Sequence, residues 1–171
     1  MSINLEEISV RELARKDVSK KYMSWINNKK TMAFTSFVNQ KSTLNDIKKY
    51  VILNKRSKTN FLYGIFHKRK HIGNIKVGNI NFKHKIAEIS YFIGDKEYLR
   101  KGVTKHTIMK IISITRLNNK VDKLTAYSYS LNKPSIKLLK SCGFIKEGVL
   151  INHHIYNNKR TDIEIFSYLY N

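Results

Sequence analysis

Arg100, Lys101 and Gly102 stand directly before a segment, residues 103–117, in which Ile108, Ile111, Ile112 and Thr115 fall at i, i+3, i+4 and i+7. That period is helical. The first turn of a helix presents unpaired backbone N–H groups and the positive end of the helix dipole. A glycine-bearing loop there, with two cations beside it, can hold a pyrophosphate. The same residues also make an ordinary solvated loop in which Gly102 only supplies a turn. Other chemistry is narrowed by what the chain lacks. Its single cysteine, Cys142, leaves no internal disulfide and no multi-cysteine metal site within one chain. Its six histidines have no metalloprotease or zinc-finger spacing. The adjacent His153 and His154, read as strand residues, point to opposite faces. No metal is expected.

The elements that must position such a loop can be read from hydrophobic period. Residues 8–13 alternate like a first strand. Asp17 is placed to cap a helix with Tyr22, Trp25 and Ile26 on its apolar side. Residues 43–54 repeat the helical pattern through Leu44, Ile47, Val51 and Ile52. Residues 60–67, 71–82 and 86–93 read as strands joined by hairpins. After the helix at 103–117, residues 124–129 form another strand, and a short helix starts at Asn132 or Lys133. Gly143 sits where that helix should stop. Residues 144–156 and 161–170 close the chain as a hairpin around Asn157, Asn158 and Lys159. The expected fold is α/β (α+β mixed): a central, mixed but mostly antiparallel sheet of about seven strands with about four helices. One proline, Pro134, and no linker or repeat in 171 residues predict a single domain over 1–171.

The segment Asn132-Lys133-Pro134-Ser135-Ile136-Lys137-Leu138-Leu139-Lys140-Ser141-Cys142-Gly143-Phe144 resembles the pattern Asn-x-x-Ser/Ala-x-x-Leu-x-x-x-x-Gly-Phe of the GNAT superfamily of N-acetyltransferases. Trp25-Ile26-Asn27-Asn28, His71-Ile72-Gly73-Asn74-Ile75 and residues 156–162 are similar to its RimJ/RimL-like branch. The resemblance implies acetyl-CoA as co-substrate, with its diphosphate on Leu99, Arg100, Lys101, Gly102, Val103 and Thr104. It implies that the backbone of Phe92 and Ile93 pairs with the pantetheine arm, that Asn132 contacts that arm, and that Ser135 lies near it. Asn132 is equally suited to cap its helix. Two motifs depart from the family at individual positions. Leu99 and Thr104 replace the usual ends of the phosphate loop, Arg100 standing in for the lost polar side chain. Leu139 replaces a tyrosine that serves many members as general acid. A thiolate leaving group, with a thiol pKa of about 8.5, tolerates that loss. The amine needs more help, because an ammonium has no lone pair. Glu88, fourteen residues before Gly102 where several members keep a catalytic glutamate, is the candidate base. It is also suited to a salt bridge or a structural hydrogen bond. Ser128, Tyr127, Tyr129 and Ser141 are the candidate proton donors, unranked.

The implied reaction is acetyl transfer to a primary amine by direct attack, without a metal or a covalent enzyme intermediate. For the acceptor, the resemblance covers amino groups of nucleotide-linked sugars, ribosomal-protein N-termini and small amines. A formal net charge of +21, from 33 Lys plus Arg against 12 Asp plus Glu, favours an anionic small molecule. The nucleotide-linked amino sugar comes first, a ribosomal-protein N-terminus second. A nucleic-acid-binding module with a decayed acyltransferase site is the rival of another class, with ribosome or nucleic-acid contact as its partner. The charge is scattered rather than gathered in a stripe, and also matches a general richness in Lys, Asn, Ile and Tyr. One cysteine and the absence of a visible signal or apolar span predict a reducing, cytoplasmic setting with no membrane partner. The oligomeric state stays open, a homodimer included.

Overall fold

The computed structural model describes residues 3–35, 38, 41–119 and 121–170. A seven-stranded sheet runs in the order β1-β2-β3-β4-β5-β7-β6. Its strands are β1 (Ile8–Glu12), β2 (Phe61–His67), β3 (Lys70–Asn81), β4 (Ile86–Ile93), β5 (Lys123–Tyr129), β6 (Ile145–Tyr156) and β7 (Lys159–Leu169). Neighbours are antiparallel except β4 and β5, which are parallel and joined through a helical crossover. The helices are α1 (Lys20–Ile26), α2 (Lys29–Met32), α3 (Leu44–Arg56), α4 (Val103–Asn119) and α5 (Lys133–Ser141). The architecture agrees with the expected mixed sheet; the additional helix is the four-residue α2.

Two apolar cores lie on opposite faces of the sheet. Ile108, Ile111 and Ile112 of α4 and Ile136 and Leu139 of α5 pack on Ile75, Ile89, Leu124 and Phe166. On the other face Tyr22 and Trp25 of α1 and Ile47 and Val51 of α3 pack on Leu62 and Phe66. Each fully buried side chain of this size contributes about 1.5–3 kcal/mol, so both helix layers are anchored. One further contact ties α4 to β1: Lys110 donates to the carbonyl of Ile8 at 2.7 Å.

Local chemistry explains where elements begin. Thr43 and Asp46 form a reciprocal capping box at the start of α3. Ser19, not Asp17, caps α1 by accepting from Tyr22 N. Asp17 is engaged elsewhere: it takes two hydrogen bonds from the Arg11 guanidinium and one from Ala14 N. That bidentate pair outcompetes a cap. Gly143, at φ +86°, ends α5 in the left-handed conformation expected of it. No helix among the described residues is long and apolar enough to cross a membrane.

Candidate functional site

β4 and β5 pair at only three positions, Ile86↔Lys123, Ala87↔Leu124 and Glu88↔Thr125. Both strands continue past this point, but each follows its outer partner. β4 stays registered on β3 up to Gly73↔Ile93, and β5 stays registered on β7 up to Tyr129↔Ile163. The sheet therefore splits into a wedge with Glu88 at its closed end. Backbone groups of β4 and β5 that face each other across the wedge have lost the ladder that would satisfy them. An extended ligand carrying amides can restore it.

The wedge opens into a cavity of about 1050 Å³, slightly above the roughly 300–1,000 Å³ range of small-molecule sites. Phe92, Ile93, Leu99, Arg100, Lys101, Gly102, Val103, Thr104, Asn132 and Ser135, the residues expected to hold the cofactor, all line it. The loop before α4 is tightly turned: Arg100 has φ +59° and Gly102 φ +78°. A β-branched residue at Gly102 is strained by that angle even though the space around it is open. The loop is tethered by Asp95, which is 6% exposed and accepts from Lys21 Nζ at 2.6 Å and from Glu97 N at 3.2 Å. Lys70 Nζ lies 3.0 Å from the same carboxylate. Burial pushes the Asp95 carboxyl up, but the hydrogen bonds from Lys21 and Lys70 outweigh it and hold the pKa low. On the other bank Asn132 caps α5, its Oδ1 accepting from Ser135 N at 3.3 Å. The hydroxyls of Ser135 and Tyr91 lie 3.0 Å apart, so α5 and β4 are hydrogen-bonded across the wedge.

Glu88 is half-buried and shares a face with Ser90 and Phe92, yet it does not line the cavity. Its Oε2 accepts from Asn79 Nδ2 at 2.9 Å. Of the candidate donors, Tyr127, Ser128 and Tyr129 line the cavity, whereas Ser141 does not and donates to Leu138 O at 2.8 Å. Tyr91, Tyr22, Lys76 and His154 are among the lining residues that the sequence does not assign to a site. Tyr91 was findable, since strand alternation puts it with Ile89 and Ile93 on the α5 side. Burial pushes its pKa up to about 12, so it remains a donor at neutral pH. His154 carried a misleading signal. The β6 register shifts between Leu150 and His154, and Asn152 has φ +52°. Alternation fails there, and the rings of His153 and His154 come within 4.9 Å instead of facing apart.

The floor on the α1 side is a directed chain of hydrogen bonds. His71 Nε2 lies 3.0 Å from Gly73 O and 2.6 Å from Asn74 Oδ1. A carbonyl only accepts, so Nε2 carries the proton and Nδ1, buried without a partner, is bare. Asn74 Nδ2 then donates to Tyr22 Oη at 2.6 Å. Charge around the cavity is one-sided. Lys30, Lys76, Lys96, Arg100, Lys101 and Lys105 line it, against Asp46 as the one carboxylate among the described lining residues. Asp46 is occupied by the Thr43 N–H and hydroxyl. No group of three or more His, Cys, Asp and Glu among the described residues could hold a metal ion.

The model of the GNAT acetyltransferase domain matches residues 7–145. The chain is 31% identical over 98 residues to the uncharacterized N-acetyltransferase p20 of Bacillus licheniformis, covering 57% of this chain and 54% of that protein. It is 32% identical over 96 residues to the uncharacterized N-acetyltransferase YoaA of Bacillus subtilis, covering 53% and 54%. The chain thus spans about half the length of the curated relatives it matches. Among solved structures, the fold is similar to spermidine N-acetyltransferase from Vibrio cholerae in complex with CoA and spermine, at a TM-score of 0.87, 19% identity and 96% coverage of both chains. It is also similar to RimL, a ribosomal L7/L12 alpha-N-protein acetyltransferase in complex with coenzyme A, at a TM-score of 0.86, 15% identity and 95% and 94% coverage.

Proposed function

The chain belongs to the GNAT acetyltransferase family, and on that premise we propose that it transfers acetyl from acetyl-CoA to a primary amine inside the β4–β5 wedge. The observation that carries this reading is the wedge itself, with a glycine loop and the start of α4 at its mouth and α5 on its far bank. The diphosphate is read onto Arg100, Lys101, Gly102 and the first N–H groups of α4, where dipole and charge act together. The pantetheine amides are read onto the backbone of Phe92 and Ile93, where β4 has lost its neighbour, with Asn132 and Ser135 opposite. The thioester then points toward the closed end, near Ser90 and Tyr127. Tyr91 and Ser135 supply hydroxyls for the departing thiolate.

Glu88 is read as the base, acting through water because its carboxylate stands off the cavity lining. The Asn79 hydrogen bond to Oε2 fixes the orientation of the carboxylate and leaves Oε1 to meet the water. The amine gives up its proton along that chain, its lone pair attacks the thioester carbonyl, and the tetrahedral adduct collapses with release of the thiolate.

For the acceptor, six lining cations against one engaged carboxylate support an anionic molecule and disfavour a polyamine. A nucleotide-linked amino sugar fits that charge and remains the first reading. A retained wedge, loop and capped α5 weigh against a binding module with a decayed site.

Calorimetry with acetyl-CoA tests the cofactor assignment. Wild type should bind at one site, and Arg100→Gln with Lys101→Gln should weaken it by roughly 10- to 100-fold, from loss of charge-assisted hydrogen bonds worth about 1.5–3 kcal/mol. Equal affinity in the folded double variant would place the diphosphate elsewhere.

A further inference from the structure

Lys76 is out of place for a lysine. It sits in the middle of β3, a central strand, paired with Leu62 of β2 and Ser90 of β4. It is half-buried and lines the cavity on the α1–α3 side of the sheet. Among the described residues no carboxylate lies within ion-pair distance of its ammonium. The groups facing it are few. From α3, the Tyr50 ring centroid lies 5.7 Å from Nζ. From β4, Glu88 acts on it as a charge without forming an ion pair, its Oε2 being hydrogen-bonded to Asn79. Asp46, also on α3, is committed to Thr43. Burial lowers the Lys76 pKa, and the Glu88 charge only partly offsets this.

A partly desolvated ammonium without a counter-ion is costly, and buried charges are ordinarily paired. This one has an aromatic neighbour and an open cavity instead. We infer that Lys76 is the receptor for an anionic group of the acceptor, a carboxylate or a phosphate, seated between Lys76 and Tyr50 on the α3 side of the cavity. The inference rests on the acetyl-transfer reading for the division of the cavity into a donor half at α4 and an acceptor half at α3. It makes the acceptor a molecule with an amine at one end and an acid at the other. The amine reaches the wedge while the acid is held one strand away on β3.

The test uses the full chain saturated with CoA, so that added anions cannot settle on the diphosphate loop. Lysine side-chain NMR, with the Lys76 signal assigned by its loss in Lys76→Met, should show an ammonium that titrates below the other lysines. Saturating inorganic phosphate or acetate should raise its proton affinity by roughly tenfold, and the more effective anion identifies the acid. A Lys76 signal indifferent to both overturns the inference. In a second arm, wild type, Lys76→Met and Lys76→Arg are compared on an amino sugar and its phosphate ester. Preference for the phosphorylated amine in kcat/KM should fall by roughly 10- to 100-fold in Lys76→Met, with Lys76→Arg restoring most of it. An unchanged preference overturns the inference while leaving acetyl transfer standing. Failure of CoA to bind overturns acetyl transfer, and the NMR arm, repeated in the Arg100→Gln, Lys101→Gln background to remove the loop's cations, still decides Lys76.

Discussion

Glu88 stands where the β4–β5 ladder ends, which gives its carboxylate two separable roles. As a structural group it holds Asn79 at the β3 bulge, where Asn79 itself has φ +51°. As the proposed base it would relieve the amine of a proton. Glu88→Gln retains size and hydrogen bonding but cannot take the proton. Turnover should fall by roughly two to four orders of magnitude with the acetyl-CoA dissociation constant unchanged, read by steady-state kinetics beside calorimetry. Full activity at neutral pH would reduce Glu88 to its Asn79 contact. His71 carries a prediction of another kind. Burial lowers its pKa from 6.5, against the raising effect of its Asn74 and Gly73 hydrogen bonds. The unfolded chain therefore binds a proton that the folded chain refuses, and stability falls as the pH drops below about 6.5. Denaturant melts at pH 7.5 and 5.5 should show this loss, and His71→Gln should flatten the His71 part of it. Equal slopes in both proteins would assign the pH dependence to other groups.

At the scale of elements, the sequence was most legible where a chemical signal and a period coincide. The i, i+3, i+4 stripe of α4 and the Gly143 stop each state a local rule that the fold obeys. Asp17 was misread because a guanidinium six residues away, in a different element, competes for its oxygens. Nothing in linear spacing weighs that competition. The β6 bulge at Asn152 was equally hidden, since it answers to the Asp162 carboxylate of the partner strand, which accepts from Asn152 N at 2.8 Å. The wedge is a third case. Period identifies β4 and β5 as strands, but only register shows that they part after Glu88. Gly94 belongs to this scale, where β4 hands over to the loop. A Cβ there would clash with the Trp25 indole, so the glycine lets α1 lie against the cavity wall. Gly94→Ala should cost about 1–3 kcal/mol, as overpacking typically does, measured by chemical denaturation. Stability within 0.5 kcal/mol of wild type, the usual range of neutral surface changes, would mean that Trp25 moves aside freely.

For the whole molecule, a net charge of +21 is spread widely, yet its local consequence is definite. The cavity that joins the two helix layers is cationic at both ends, with Arg100, Lys101 and Lys105 at α4 and Lys30 and Lys76 toward α2 and β3. Focusing of that field favours an anionic donor and an anionic acceptor alike, and raises their encounter rate at low salt. Family and fold were readable from ordered motifs such as the Asn132-capped helix with its Gly143 stop. The acceptor was not, because Tyr22, Lys76 and His154, which line the cavity, come from three unconnected elements and form no motif. Amine-dependent release of CoA decides whether the chain transfers acetyl. Wild-type protein is mixed with acetyl-CoA and, separately, a nucleotide-linked amino sugar, spermidine and an N-terminal peptide, while free thiol is followed and products are identified by mass. Thiol release should require an amine, give the N-acetyl product and be fastest with the anionic acceptor. Thiol release that no amine accelerates, or none at all with acetyl-CoA bound, would contradict acetyl transfer.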